Sequence, residues 1–501
     1  MPHDTLHEPA EKTIKSILEW LARAHSPDGL EDASGLRRLL LALRATSLPV
    51  EQRLKLLDPL YDYAAKLVVS QFPSLHQVTL PVSRQTRQLV RAIQDVLEIL
   101  AQDYLDAQVA DPETAAQARP PIDSLRPTMQ CLSWHLTISH LVAAPTGAGI
   151  WQQLHSTFRI CRRLGLDQIE GPAGASRIER IYLSSLLLSV VQPASFTSQE
   201  LEFIGQYIDH SAQGIEISSE APPGHEGIFW IDSDRDSPPH ALARRVPPPE
   251  TPVLYFACDT IARRAADHLA ALEGGHAATD LDLPPFADSP AGHGVLKRLI
   301  DFWGHPAKRK FPRRRQSYRA DLCAGLDRLW QLLQSPSLPP SASSEWMITN
   351  ESPDGYAMMH VAGATEQLRV GDIVALQPRR GEASSLLPWQ ICIVRWALSE
   401  NPEHIELGLQ VLSGQGIPAR LALPHCPDNA RNGAALLLPK APPLRPSPAL
   451  VAPTGLVGDW SQKLILVVEQ DNVAVHELRA IHLDEQTSSI EVFTVEPDER
   501  P

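Results

Sequence analysis

The sequence predicts an α+β multidomain protein: an all-α domain over residues 1–304, a small antiparallel β-barrel over 305–420 and a β-rich C-terminal extension over 421–501. Three observations predict it. Apolar residues recur at helical spacing through the first ~300 residues, and the period falls to about two after residue ~305. Proline- and glycine-rich joins punctuate both blocks.

The helical block is read element by element. Lys12 to Ala24 places Ile14, Ile17, Leu18 and Leu21 on one stripe. Leu36 to Ala45, Glu51 to Val69 and Arg84 to Ala107 repeat the pattern, the last with Leu89, Ala92, Ile93, Val96, Leu97 and Leu100 on one face. Leu132 to Val142, Ile150 to Leu164 and Ile178 to Val191 continue it, and Ser198-Gln199-Glu200 opens a further helix. The run Gly227 to Ile231 predicts a strand or buried loop, followed by a helix over Ala257 to Leu272 and another over Leu296 to Trp303. No fixed repeat period is present, so a solenoid of strict repeats is not expected.

The second block reads as short strands: Glu345 to Asn350, Tyr356 to Val361, Asp372 to Gln377, Trp389 to Leu398 and Ile405 to Leu412. Turns such as Ser352-Pro353-Asp354-Gly355 separate them, a spacing that suits a small antiparallel barrel. After the proline-rich join Pro439 to Pro453 come Gln462 to Val468, Val473 to Ile481 and Ile490 to Val495. These three strands either extend the barrel or form a separate β-unit.

Composition bounds the function. At 501 residues the chain exceeds one ordinary core, and 43% hydrophobic with 21% charged residues is globular composition. A formal charge of −14 argues against a DNA- or RNA-binding protein, since phosphate backbones demand a basic surface. The six cysteines are scattered without a CxxC pair, which predicts buried thiols rather than a metal site. The opening Met1-Pro2-His3-Asp4 has no basic region followed by an apolar one, and no apolar run reaches membrane-spanning length. A soluble, cytoplasmic protein without a transmembrane segment is expected.

Against that acidic background one segment stands out. Lys308 to Arg319 (KRKFPRRRQSYR) carries seven positive charges and no negative one. About thirty residues on, Asn350-Glu351-Ser352-Pro353-Asp354-Gly355 is an N-x-S-x-x-G at a hairpin turn. RxxxR followed by [D/N]xSxxG ahead of an antiparallel barrel resembles the PilZ family. Leu368 to Leu376, Val394-Arg395-Trp396 and Glu406-Leu407-Gly408-Leu409 resemble that family's later strands, so the likeness covers residues 305–420.

The resemblance implies a receptor for cyclic di-GMP, not an enzyme, with no cofactor. The implied ligand-binding residues are Arg314, Arg315, Arg319, Asn350, Ser352 and Gly355. Arginine's planar fork pairs bidentately with phosphate or with guanine O6 and N7. The Asn350 amide and Ser352 hydroxyl can hydrogen-bond a base edge. Gly355 is expected to give the turn a positive φ and to permit close approach of the ligand. A second register, Arg309 with Arg313, is open beside Arg315 with Arg319. Gly325 to Leu333 departs from the family pattern and reads as a short inserted helix.

Other candidates are weaker. Asp232, Asp234 and Asp236 imitate an EF-hand start, but Ser237 and Ala243 stand where glycine and glutamate are required, leaving a solvated acidic turn. Thr146-Gly147-Ala148-Gly149 lacks the Gly-Lys that a phosphate-binding loop needs. His135, His140 and His155 read as packed or surface histidines, and Trp330, Trp346, Trp389 and Trp396 as core. The helical domain is expected to dock a protein partner. The alternative is a degenerate PilZ adaptor of pilus, flagellar or secretion machinery that binds no nucleotide.

Overall fold

The computed structural model describes residues 10–23, 29–109, 120–171, 176–224, 226–306, 311–334, 343–365, 368–379, 387–401, 404–422, 433–442, 445–457, 463–469 and 473–498. Within these, the chain forms two compact units. One comprises residues 1–78, 82–190 and 215–257; the other comprises 79–81, 191–214 and 258–501.

The first unit holds α1 (Ala10–Leu21), α2 (Gly29–Ala45), α3 (Val50–Leu75), α4 (Arg84–Val109), α5 (Ile122–Leu141), α6 (Ile150–Arg163) and α7 (Ile178–Val190). The i, i+4, i+7 series Leu36, Leu40 and Leu43 buries the inner face of α2. Val90, Ile93, Leu97, Leu100 and Tyr104 do the same for α4, with Leu89 and Ala92 at the edge of the stripe. Arg44 on α2 donates to Asp103 on α4 at 2.7 Å, so the carboxylate buried between the helices is paired. In α1 the expected stripe is rotated: Ile17 is buried as expected, but Leu18 is exposed and Thr13 takes its place inside. The Trp20 ring, edge-on to Tyr63 on α3, turns the helix to that face.

A three-stranded antiparallel sheet, β1 (Ile228–Asp232) between β2 (His240–Ala241) and β3 (Val253–Ala257), completes this unit. The run from Gly227 is thus a strand, and β3 is an element that the sequence pattern did not reveal. The acidic turn after β1 is wired rather than merely solvated. Asp236 accepts from the Gly149 and Gln152 N–H groups at the start of α6, at 2.6 and 3.2 Å. Asp234 pairs with Arg159 at 2.5 Å, and the Ser237 carbonyl meets His155 Nε2 at 3.0 Å. The start of α6 therefore has its capping carboxylate in the chain itself.

The second unit begins with helices and ends with barrels. Its helices are α8 (Ser198–Ser211), α9 (Asp259–Glu273) and α10 (Pro290–Gly304). Thr197 and Glu200 form a capping box at the start of α8, and Glu200, buried, also takes the Arg298 guanidinium of α10 at 2.5 Å.

The first barrel is closed by β4 (Arg314–Ala324), β5 (Ser344–Ser352), β6 (Gly355–Ala362), β7 (Ile373–Arg379), β8 (Gln390–Asn401) and β9 (His404–Ser413). Its interior is apolar, filled by Ala320, Leu322, Trp346, Ile348, Met358 and Leu407 among others. The expected inserted helix exists as α11 (Leu326–Gln334) and does not disturb closure.

The last residues form a second closed barrel rather than an extension of the first. Its strands are β10 (Ile417–Ala422), β11 (Gly433–Leu438), β12 (Ala449–Pro453), β13 (Lys463–Glu469), β14 (Val473–Gln486) and β15 (Ile490–Pro497). Both barrels wind the same way. Numbered from its own first strand, each has neighbours in the order 1-2-3-6-5-4.

An apolar layer joins them. Leu329 and Leu332 of α11 pack with Ile373, Ala375, Ile391 and Ile393 from the outside of the first barrel, and with Leu436, Leu438, Val451 and Val492 from the outside of the second. The Trp330 indole donates to the Ala419 carbonyl at 2.8 Å. Arg395 pairs with Glu485 across the join, Nη1 to Oε2 at 2.9 Å. Among the described residues no helix is long and apolar enough to cross a membrane, and no group of histidine, cysteine and acidic side chains is set to hold a metal.

Candidate functional site

Strand pairing brings the two sequence motifs together. β4 runs antiparallel to β5, and Arg314 lies opposite Glu351 and Arg315 opposite Asn350. A bulge over Gln316 and Ser317 follows, after which Tyr318 pairs with Ile348 and Arg319 with Met347. Downstream of the bulge Ala320 and Leu322 point into the barrel, so Arg319 and Asp321 point out.

The arginines differ in how they are held. Arg314 and Arg315 are exposed and make no ion pair among the described residues. Arg319 is paired with Glu345, Nη1 to Oε2 at 3.1 Å. Beside it Arg379 on β7 grips Asp321 with two nitrogens, at 2.7 and 2.5 Å, and that carboxylate raises the Arg379 pKa. The alternative register loses its comparison, because Arg309 lies outside the described residues; Arg313 precedes β4.

The second motif closes the β5–β6 hairpin with Pro353 and Asp354 as its two turn residues, and neither takes a positive φ. Proline at the first central position and aspartate at the second suit a type I turn. The Ser352 hydroxyl lies 2.7 Å from Asp354 Oδ1 and 3.1 Å from the Gly355 carbonyl, inside the turn. Asn350 is half-buried, and its amide makes no hydrogen bond among the described residues. Tyr318 donates to Glu351 Oε2 at 3.1 Å, tying β4 to the hairpin.

Gly355 corrects one expectation. Its φ is not positive; the glycine is needed because a Cβ there would collide with the Leu409 carbonyl on β9. The hairpin is therefore pressed against the last strand of the barrel, and close backbone packing, not turn geometry, selects the residue.

A cross-strand row extends the site. Arg315 faces Asn350, Asn350 faces Ala357 on β6, Ala357 faces Gly408 on β9, and Gly408 faces Trp396 on β8. Tyr356, Met358, Leu407 and Leu409 fill the interior, so Ala357 and Gly408 belong to the outer face. A Cβ on Gly408 would run into the Trp396 indole, which therefore lies over that glycine. Trp396 was expected in the core and is instead half-buried outside it. The bulge between Val394 and Trp396 resets the alternation of β8, a shift that hydrophobic patterning does not announce. Trp346 is core as expected.

Among the described residues the histidines do not assemble a second site. His135 is buried with Nε2 3.0 Å from Glu98, and His155 is buried between Tyr182 and the Ser237 carbonyl. Desolvation lowers the His155 pKa. The described cysteines, Cys131, Cys161, Cys258, Cys323 and Cys392, are buried free thiols, and Cys426 lies outside the described residues. Burial pushes the Cys161 thiol up to about 12.

A tightly wound six-stranded barrel with RxxxR entering its first strand and NxSxxG at the next hairpin defines a PilZ domain. Comparison with known proteins agrees: residues 334–418 match the family model described as the middle PilZ domain of the cyclic-di-GMP receptor FimW. The first barrel belongs to the PilZ family. Residues 15–223 match the model for the N-terminal domain of the same receptor. The chain is also similar to the cyclic-di-GMP receptor FimW of Pseudomonas aeruginosa, 21% identical over 521 residues, covering 86% of this chain and 82% of that protein. The middle-domain match includes Asn350, Ser352 and Gly355 and begins after the arginines.

Proposed function

We propose that the chain is a cyclic di-GMP receptor, and that the ligand lies on the outer face of the first barrel between β4 and the β5–β6 hairpin. The observation that carries this reading is the pairing of Arg315 with Asn350, which sets side by side a guanidinium and an amide that have no partner among the described residues. Arg314 and Arg315 meet the phosphates, Asn350 and Ser352 meet a guanine edge, and Gly355 keeps the hairpin low against β9. Arg319 joins by exchanging Glu345 for a ligand phosphate or guanine; a planar fork makes either contact bidentate. No catalytic group is assigned. The reading places the receptor in the cytoplasm, with a helical domain at 1–304, a PilZ domain at 305–420 and a β-unit at 421–501, and with the helical part docking a protein partner. The name of the relative and the two family matches support it.

A degenerate PilZ adaptor is the competing reading, favoured by Arg319 and Ser352 already having partners within the chain. Calorimetric titration of the full chain with cyclic di-GMP separates the two. Saturable binding at micromolar affinity or tighter is expected. No heat and no shift in melting temperature at ligand well above micromolar would overturn the receptor reading. If the ligand binds only the folded protein, a hundredfold excess over Kd stabilises it by about 2.7 kcal/mol.

A further inference from the structure

We propose that the Trp396 indole is a stacking platform for one guanine of the ligand, with Gly408 as the floor that lets it lie there. The proposal rests on the receptor reading above and adds a residue that neither motif contains.

Three observations carry it. First, Trp396 ends the cross-strand row that starts at Arg315 and passes through Asn350. Two strand spacings of about 4.8 Å separate β5 from β9, where the indole lies over Gly408, so it stands roughly 10 Å from the asparagine. One guanosine monophosphate half of the ligand bridges that span. Second, the residues between are the smallest available, Ala357 and Gly408, so no side chain rises between the amide and the ring.

Third, the ring lacks the partners its counterparts have. Within the second unit Trp303 stacks on Tyr207, Trp330 lies under Arg420 and donates to Ala419, Trp346 is buried against His360, and Trp389 packs on the layer between the barrels. Trp396 has no aromatic or cationic ring partner and no acceptor for its N–H among the described residues, and it is only half-buried. The part of the indole left to water has no partner, and a purine face is a partner of matching size. A residue kept only for packing would belong inside the barrel, where Val394 and Ala397 of the same strand are.

The test is calorimetry of the full chain with cyclic di-GMP, run on wild type, Trp396→Ala, Trp396→Phe and Gly408→Ala, each checked by thermal melt. Trp396→Ala should weaken binding roughly ten- to hundredfold, the loss expected when one stacked base loses its aromatic partner. Trp396→Phe should restore most of it, because a phenyl face still stacks. Gly408→Ala, which displaces the ring without removing it, should weaken binding with the indole still present. Quenching of tryptophan emission on ligand addition should be reduced in Trp396→Phe. Unchanged affinity in a folded Trp396→Ala variant would overturn the stacking assignment while leaving the receptor reading standing. Equal losses in Trp396→Ala and Trp396→Phe would also overturn it, since only a non-aromatic role of the indole would remain. Absence of binding by the wild type would instead remove the receptor reading, and this one with it.

Discussion

The outer face of β5, β6 and β9 in the first barrel carries Asn350, Ala357 and Gly408, next to two exposed arginines without ion partners among the described residues. The equivalent face of the second barrel, on β11, β12 and β15, carries Leu436, Leu438, Ala449, Val451, Ile490 and Val492, all buried. The strand order is the same in both. One winding thus presents a face of small residues, Ala357 and Gly408, beside Asn350 and the arginines in one copy, and a contact of large apolar side chains in the other. The difference is set by residues that do not touch either barrel's interior, so function and closure are encoded separately on alternate positions of the same strands.

The hairpins show the same division. In the first barrel β5 and β6 are joined by two residues and pressed onto β9 at Gly355. In the second, the equivalent strands β11 and β12 are joined across residues 439–448, where Arg445 bonds the Pro439 and Ser447 carbonyls of its own loop. An arginine satisfied by its own loop is not available to a phosphate, whereas Arg314 and Arg315 are. The second barrel therefore reads as the support for the first.

The largest effect should come from breaking that support. Leu329 is fully buried between the barrels, and Leu329→Ala should cost about 2–5 kcal/mol in the denaturant transition of the barrel unit. A cost under about 1 kcal/mol would mean that α11 is not what joins the barrels.

On the open face the effect moves from stability to binding. Arg315→Ala should weaken cyclic di-GMP binding by about 1.5–3 kcal/mol with an unchanged melting temperature, since the side chain is exposed and holds no ion pair among the described residues. Arg315→Lys should be nearly as poor, because a point charge does not reproduce the fork. Arg319→Ala should weaken binding similarly while also giving up the Glu345 ion pair, and Arg309→Ala should be mild. The reverse ranking in titration would move the motif to the Arg309 and Arg313 register.

Gly355→Ala lies between the two kinds of effect. The added methyl meets the Leu409 carbonyl, so the hairpin must lift from β9, at about 1–3 kcal/mol of stability. Because the hairpin carries Asn350 and Ser352, binding should fall together with melting temperature. Loss of stability with full affinity would show that the ligand does not read the hairpin's height.

How much of this was written in the sequence follows from where periodicity holds. The first barrel's strands are regular enough that Trp346, Ile348 and Met358 alternate inward, and the two motifs mark its site. The second barrel was only half legible. Its strands from Lys463 onward alternate, but β11 (GAALLL) and β12 (ALVAP) are apolar on both faces, because one lines the barrel and the other meets its neighbour. Trp396 was misplaced for a local reason: the bulge between Val394 and Trp396 moves the side chains that follow it to the other face of β8. Gly355 was identified with the wrong cause, since a collision across strands leaves no trace in the turn's own residues. Helices α8, α9 and α10 read as helices, but their membership of the barrel-bearing unit depends on close approaches such as Gly294 of α10 against the Gln486 carbonyl of β14, which no spacing rule supplies.

The smallest effect concerns the seam where the two barrels meet. Asp372 of the first barrel accepts from Ser489 of the second at 2.5 Å and from the Arg369 N–H at 2.8 Å. Burial raises its pKa, and these hydrogen bonds only partly oppose the shift. A carboxyl whose folded pKa lies above its unfolded value favours the folded protein when protonated. Its contribution is therefore fully present below the unfolded pKa and lost as pH rises through the folded one. At neutral pH the ionised group works against the seam. Asp372→Asn removes the titration and keeps the geometry, because the amide oxygen can accept from the Arg369 N–H while Ser489, a hydroxyl, can turn to accept from the amide nitrogen. The wild type should thus lose stability relative to Asp372→Asn as pH rises from about 4 to 7, by an amount of order 1 kcal/mol. Melts at stepped pH measure it. A wild type that gains on the variant over that range would show that the serine and backbone donors outweigh burial, and that the seam is held by an ionised carboxylate.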